Sequence, residues 1–135
     1  METINHECYV SSEIAKLLEK AGFDWKCRKC YNKGVLFDME PDEIRTQTPQ
    51  HSSYDVLAPT LEVAQRWLRE VKDIDVYIFP TTNNKRGCVY EWGIKTFGRA
   101  LWVEGQPYTN QYETYEEAQE TGIKKALEMI LEKGE

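Results

Sequence analysis

Cys27 and Cys30 stand three residues apart in the stretch WKCRKC, the spacing at which two thiolates can grip one zinc ion. A tetrahedral site needs two further ligands, for which the chain offers His6, Cys8 and His51. Strand alternation would send Cys27 and Cys30 to opposite faces unless the backbone turns between them, so no metal is expected here and a small zinc-knuckle protein is kept as an alternative. A thioredoxin-type redox pair is set aside as well, because that motif opens a helix and this one leads into a turn.

Around the same cysteines, Lys26, Arg28, Lys29 and Lys33 lie beside Trp25 and Tyr31. Basic and aromatic residues in such a mixture can follow a phosphate backbone while stacking on bases, which makes these four lysine and arginine residues the candidate nucleic-acid contacts. The competing reading, a solvated hairpin whose charged edge discourages strand-to-strand aggregation, agrees better with a formal net charge of -6. Nucleic acid is therefore not the expected partner. Catalysis has less to stand on: the two histidines fall in expected loops, and there is no nucleophile elbow, no glycine-rich phosphate loop and no His-Glu-x-x-His helix. No catalytic residue and no cofactor are expected, and the chain reads as a non-enzyme.

The elements that must position these residues follow from periodicity. Residues 59–80 join an amphipathic helix to a strand with almost no linker. Thr60 is the N-cap, Leu61, Ala64, Trp67, Leu68 and Val71 form the apolar stripe, and Ile74, Val76 and Ile78 then alternate with Asp75, Tyr77 and Phe79 until Pro80 ends the ladder. Upstream, residues 1–10 read as a frayed or lightly docked end. Ser11 and Ser12 cap a helix carrying Ile14, Leu17, Leu18 and Ala21, and Gly22 ends it. Residues 24–31 and 35–39 form a hairpin about the turn Asn32, Lys33, Gly34, and 40–53 is a long loop. Downstream, a turn over 81–87 leads to a strand through Cys88, Tyr90, Trp92 and Ile94. A third strand covers 100–104, and a final helix opens at the capping box Thr114 to Glu117. On that helix Ala118, Gly122 and Ala126 make a small-residue strip that lets the backbone approach the sheet closely.

Composition sets the limits. A chain of 135 residues, 41% of them hydrophobic, suffices for one domain with a core, 1–135, and not for two. No apolar run reaches membrane-spanning length and the first ten residues lack a basic, then apolar, leader pattern, so the cytoplasm and no membrane are expected. Four cysteines without a dense framework imply reduced thiols. Period assigns Trp67, Tyr90 and Trp92 to the core. Tyr77, Phe79 and Trp102 lie on a less covered sheet face and are the candidate partner-binding residues.

Two resemblances add context. The stretches AKLLEKAGFD with a cysteine following, APT followed by QRWLREV, and TYEEA followed by KKALEMILE resemble a family of small, uncharacterised proteins often encoded in prophage-like regions of gut bacteria, and the likeness spans most of the chain. That resemblance implies a phage or mobile-element setting and brings no activity, cofactor or catalytic residue with it. More loosely, helix, three strands, helix from Thr60 onward resembles the order of elements in a double-stranded RNA-binding domain. That module places lysines at the start of its last helix, where this chain has Glu113, Glu116, Glu117 and Glu120. Within the chain, Ser12, Glu13, Ile14, Ala15 and Asp24 line up at one constant offset with Leu61, Glu62, Val63, Ala64 and Asp73; helix starts with Ser or Thr and then Glu recur for capping reasons alone, so a duplication is the lesser of the two readings.

The expectation is an α+β domain with a mainly antiparallel sheet of about five strands and three helices. It would be a small phage or mobile-element accessory protein acting through protein–protein interaction, its partner another protein or a second copy in a homodimer. An RNA-binding module is the alternative.

Overall fold

The computed structural model describes residues 8–38, 56–96, 102–104 and 111–132. Within them the order is α1 (Ser12–Ala21), β1 (Lys29–Asn32), β2 (Val35–Asp38), β3 (Val56–Leu57), α2 (Leu61–Val71), β4 (Ile74–Asn83), β5 (Gly87–Thr96), β6 (Trp102–Glu104) and α3 (Tyr115–Glu132). The α+β class and the antiparallel pairing are as expected. The single sheet of about five strands is not: the described strands form two sheets, in the orders β2-β1-β3 and β4-β5-β6. The split arises because β1 takes the dipeptide before α2 as its second neighbour, Cys30 opposite Leu57 and Tyr31 opposite Val56.

Local chemistry explains each boundary. Ser11 Oγ accepts the Ile14 amide at 3.2 Å, Thr60 Oγ1 accepts that of Val63 at 3.1 Å, and Thr114 Oγ1 accepts that of Glu117 at 3.1 Å. Each occupies a first-turn donor that has no partner within its helix. Gly22 closes α1 with φ 99° while the Phe23 amide reaches Leu18 O at 2.9 Å. Lys33 and Gly34, at φ 55° and 82°, make the two-residue turn between β1 and β2 that matches strand twist. At the tip of the second hairpin, Asn83 Oδ1 accepts the amides of Lys85 and Arg86 at 2.8 and 3.0 Å.

β4 runs through Pro80 to Asn83, beyond the expected stop. Tyr90, opposite Pro80, exchanges both backbone hydrogen bonds with Tyr112, at 2.8 and 2.9 Å. Pro80 is thus at a position whose missing N–H would point away from β5, off the open edge of the sheet, where proline costs no ladder bond. One further correction concerns an end. Residues 8–10 are docked and not frayed: Val10 is fully buried, and its amide reaches Pro59 O at 3.0 Å while Leu61 N–H reaches Cys8 O at 2.8 Å. Residues 1–7 and the expected loop over 40–53 lie outside the described residues.

Antiparallel pairing of Tyr9 with Thr60 places Val10 opposite Pro59, each one step before its helix cap.

α2 and α3 cover one face of the second sheet, and α1 packs against α3 and β3. Trp67, Leu68, Val76, Ile94, Ile123 and Leu127 are essentially inaccessible and join Cys30, Val56 and Leu57 of the first sheet in one apolar cluster. A Cβ on Gly122 would stand 2.8 Å from Val76 Cγ1 and 3.1 Å from Trp92 Cβ, so the small-residue strip does admit α3 closely. A polar chain crosses this core: buried Gln119 donates to Gln65 Oε1 at 2.8 Å, and Gln65 donates to the Val76 carbonyl, tying α3 to α2 and to β4. Val71 departs from the expected stripe and is half exposed, because the helix turns to its corner at Lys72.

Candidate functional site

The cysteines come first, since metal or redox chemistry would have to start there. The expected strand over 24–31 shortens to Lys29–Asn32, and the chain bends at Arg28. That bend breaks the alternation, so Cys27 and Cys30 both turn inward, 6% and 5% exposed, and not to opposite faces. All four cysteines are free thiols. Cys27 Sγ donates to Trp25 O at 3.7 Å, and burial pushes its pKa up to about 12. A metal ligand or nucleophile must be thiolate, which this environment opposes. His6 and His51 lie outside the described residues, and among the described residues no three His, Cys, Asp or Glu side chains are grouped as a metal site.

The buried thiol has a consequence for stability. Folded Cys27 keeps its proton above the ordinary 9.0, where the unfolded chain loses it, so the unfolded state binds fewer protons and stability falls as pH rises from about 9.0 toward 12. The denaturation midpoint should fall more steeply over that range in the native chain than in Cys27→Ala. Equal slopes would show that Cys27 ionises normally.

The basic residues do not form one stripe. Lys26 and Arg28 are exposed beside a hollow at the start of α2. Lys29 is half-buried with its ammonium 5.2 Å from the centre of the Tyr9 ring. Lys33 sits in the turn at the far end of β1, about 13 Å along the strand from Lys29.

Tyr77 and Phe79 share the face of the second sheet turned away from α2 and α3. Both are half-buried, their rings stacked with centroids 5.9 Å apart, and the Tyr77 ring fills the space that a side chain at Gly93 would need. The open patch is smaller than expected, because Val89 on the same face is fully buried and Glu91 is 8% exposed. Glu91 accepts a hydrogen bond from Gln111 Nε2 at 3.0 Å, and Gln111 Oε1 in turn accepts Asn83 Nδ2 at 2.8 Å. Trp102 is in β6 opposite Lys95; its side chain lies outside what is described. Of the residues assigned to the core, Trp67 and Trp92 are buried, whereas Tyr90 is half-buried against Tyr115, with ring centroids 6.0 Å apart.

Sequence reasoning missed a cleft of about 550 Å³ between the start of α1, the tip of the second hairpin and the start of α3. Glu13, Glu113, Glu117 and Glu120 line it against only Arg86 and Lys124. Both bases are paired, Arg86 with Glu113 at 3.8 Å and Lys124 with Glu13 at 3.0 Å, and the Glu13 hydrogen bond raises the Lys124 pKa. Its residues come from three separate parts of the chain. The single signal was the run of acids over 113–120, which spoke only against RNA.

Comparison with protein-family models, with curated proteins and with solved structures finds no match to this chain.

Proposed function

We propose that this chain is a small, noncatalytic accessory protein of a phage or other mobile element, one folded unit that works in the cytoplasm through protein–protein contact. The stacked Tyr77–Phe79 pair carries this reading. Aromatic rings bury some 150–250 Å² each when covered, and they are concentrated at the centres of interfaces. Here two lie side by side and half-covered on the sheet face opposite the helices, whereas the exposed large hydrophobic residues Val35, Val71 and Tyr115 sit on three different elements. The resemblance of three stretches to prophage-encoded proteins supports the setting. Four free thiols suit a reducing compartment, and among the described residues no helix is long and apolar enough to cross a membrane.

The occupant proposed for the patch is a second copy of the chain. Sedimentation velocity over a wide concentration series should show a dimer that strengthens with concentration, and Phe79→Ser should shift it to monomer without altering the melt. A monomer at every concentration would remove self-association, and an undiminished dimer in Phe79→Ser would place the interface elsewhere.

An RNA-binding reading draws on one observation, the order α2, β4, β5, β6, α3. Charge opposes it: the first turn of α3 carries Glu116 and Glu117, and Glu113 and Glu120 flank them, where a duplex backbone would need cations.

A further inference from the structure

We propose that the hollow at the start of α2 is a phosphate site, in which Lys26 and Arg28 hold the dianionic phosphoryl group of a small phosphate monoester. Lys26 and Arg28 are both exposed and both line the same hollow, with buried Cys27 between them in its wall. Tyr9, Ala58, Pro59, Thr60 and Val63 complete the wall, and among the described residues no carboxylate contributes to it. In a chain of net charge -6, whose larger cleft carries four glutamates, this hollow concentrates positive charge.

Its details suit a small anion. At about 200 Å³ it is below the roughly 300–1,000 Å³ of pockets for drug-sized ligands. Thr60 Oγ1 accepts the Val63 amide and so retains its own proton to donate. The first-turn amides of Leu61 and Val63 are already engaged by Cys8 O and Thr60, so α2 adds the field of its positive end and no free N–H at those positions. Cys27 stays a neutral thiol and adds no negative charge to the floor. Lys29, held over the wall residue Tyr9, adds positive charge nearby, whereas Lys33, at the far turn, stands apart, and this separation favours one phosphoryl group over a tracked nucleic-acid strand. The site is independent of Tyr77 and Phe79, so either proposal can fail alone.

The test is a titration of the full chain, followed by amide chemical shifts, with sodium phosphate against sodium chloride at equal ionic strength. Phosphate should move the amides of residues 26–28 and 60–63 where chloride does not. Replacing both Lys26 and Arg28 by alanine should weaken binding by at least about tenfold, the loss of one or more charge-assisted hydrogen bonds, with the fold intact because both side chains are exposed. Adenosine monophosphate and phosphoserine then separate the sources. Tighter binding of the first identifies a nucleotide, and equal binding identifies the phosphoryl group alone as the recognised feature. Equal shifts with chloride, or an undiminished response in the double variant, would overturn the site. So would steeply salt-dependent binding of a single-stranded oligonucleotide that requires Lys33, since it would assign the cluster to nucleic acid.

Discussion

Trp67→Ala is expected to destabilise the fold by about 3–5 kcal/mol, the range for deleting a buried large aromatic side chain. Trp67 is 1% exposed, meets Phe23 edge-on with ring centroids 5.4 Å apart, and has the Lys72 ammonium 5.6 Å from its ring centre. Removing the indole leaves a cavity where α2 faces both α1-linked residues and the second sheet. Its Nε1 is buried without a hydrogen-bond partner among the described residues, so part of the gain from burying the ring is already offset. Trp67→Phe, which deletes that donor and keeps an aromatic ring, should therefore cost much less than Trp67→Ala. Thermal and denaturant unfolding of the two variants measure the difference. An unshifted Trp67→Ala midpoint would mean that α2 does not pack as described.

Gly122→Leu should cost about 3 kcal/mol, near the upper end for overpacking a filled core. Two effects oppose each other here. Removing a mid-helix glycine gains roughly 0.8–1.0 kcal/mol of helix propensity in the alanine variant. Against that, even a Cβ would stand 2.8 Å from Val76 and 3.1 Å from Trp92, which are 0% and 6% exposed and held in the paired strands β4 and β5. Neither can yield without moving the sheet, so the clash prevails and Gly122→Ala should also destabilise, by about 1 kcal/mol net. Gly93 provides the contrast. Its added Cβ would meet the Tyr77 ring, which is half-exposed and can swing toward solvent, so Gly93→Ala should be the mildest of the three. Unfolding midpoints in the reverse order would place α3 farther from the sheet.

These two sites show what was legible in the chain. The stripe containing Trp67 and the small strip containing Gly122 are local periodic signals, as are the caps Ser11, Thr60 and Thr114, and each leads to the right element. Partner choice is not local. Nothing near Val56 and Leu57 announces that they pair with β1, and so the division into two sheets stays hidden. Pro80 signals the end of a strand unless the outward direction of its missing N–H is known, and that depends on Tyr112, 32 positions away by simple subtraction. The inward turn of both cysteines hangs on one bend at Arg28. For the contact patch, alternation correctly put Tyr77 and Phe79 on the face opposite the helices, but the burial of Val89 and Glu91 depends on residues remote in sequence, such as Gln111 and Asn83.

If two copies of the protein meet over this face of the second sheet, the contact must appear at the residues around Tyr77 and Phe79. Amide and aromatic chemical shifts recorded over a dilution series test it most directly, because they locate the contact as well as detect it. Changes confined to residues 75–81 and 89–95, strongest at Tyr77 and Phe79 and lost in Phe79→Ser, are the predicted result. Spectra that do not change with concentration, or changes centred on the acidic cleft of Glu113, Glu117 and Glu120, would contradict it.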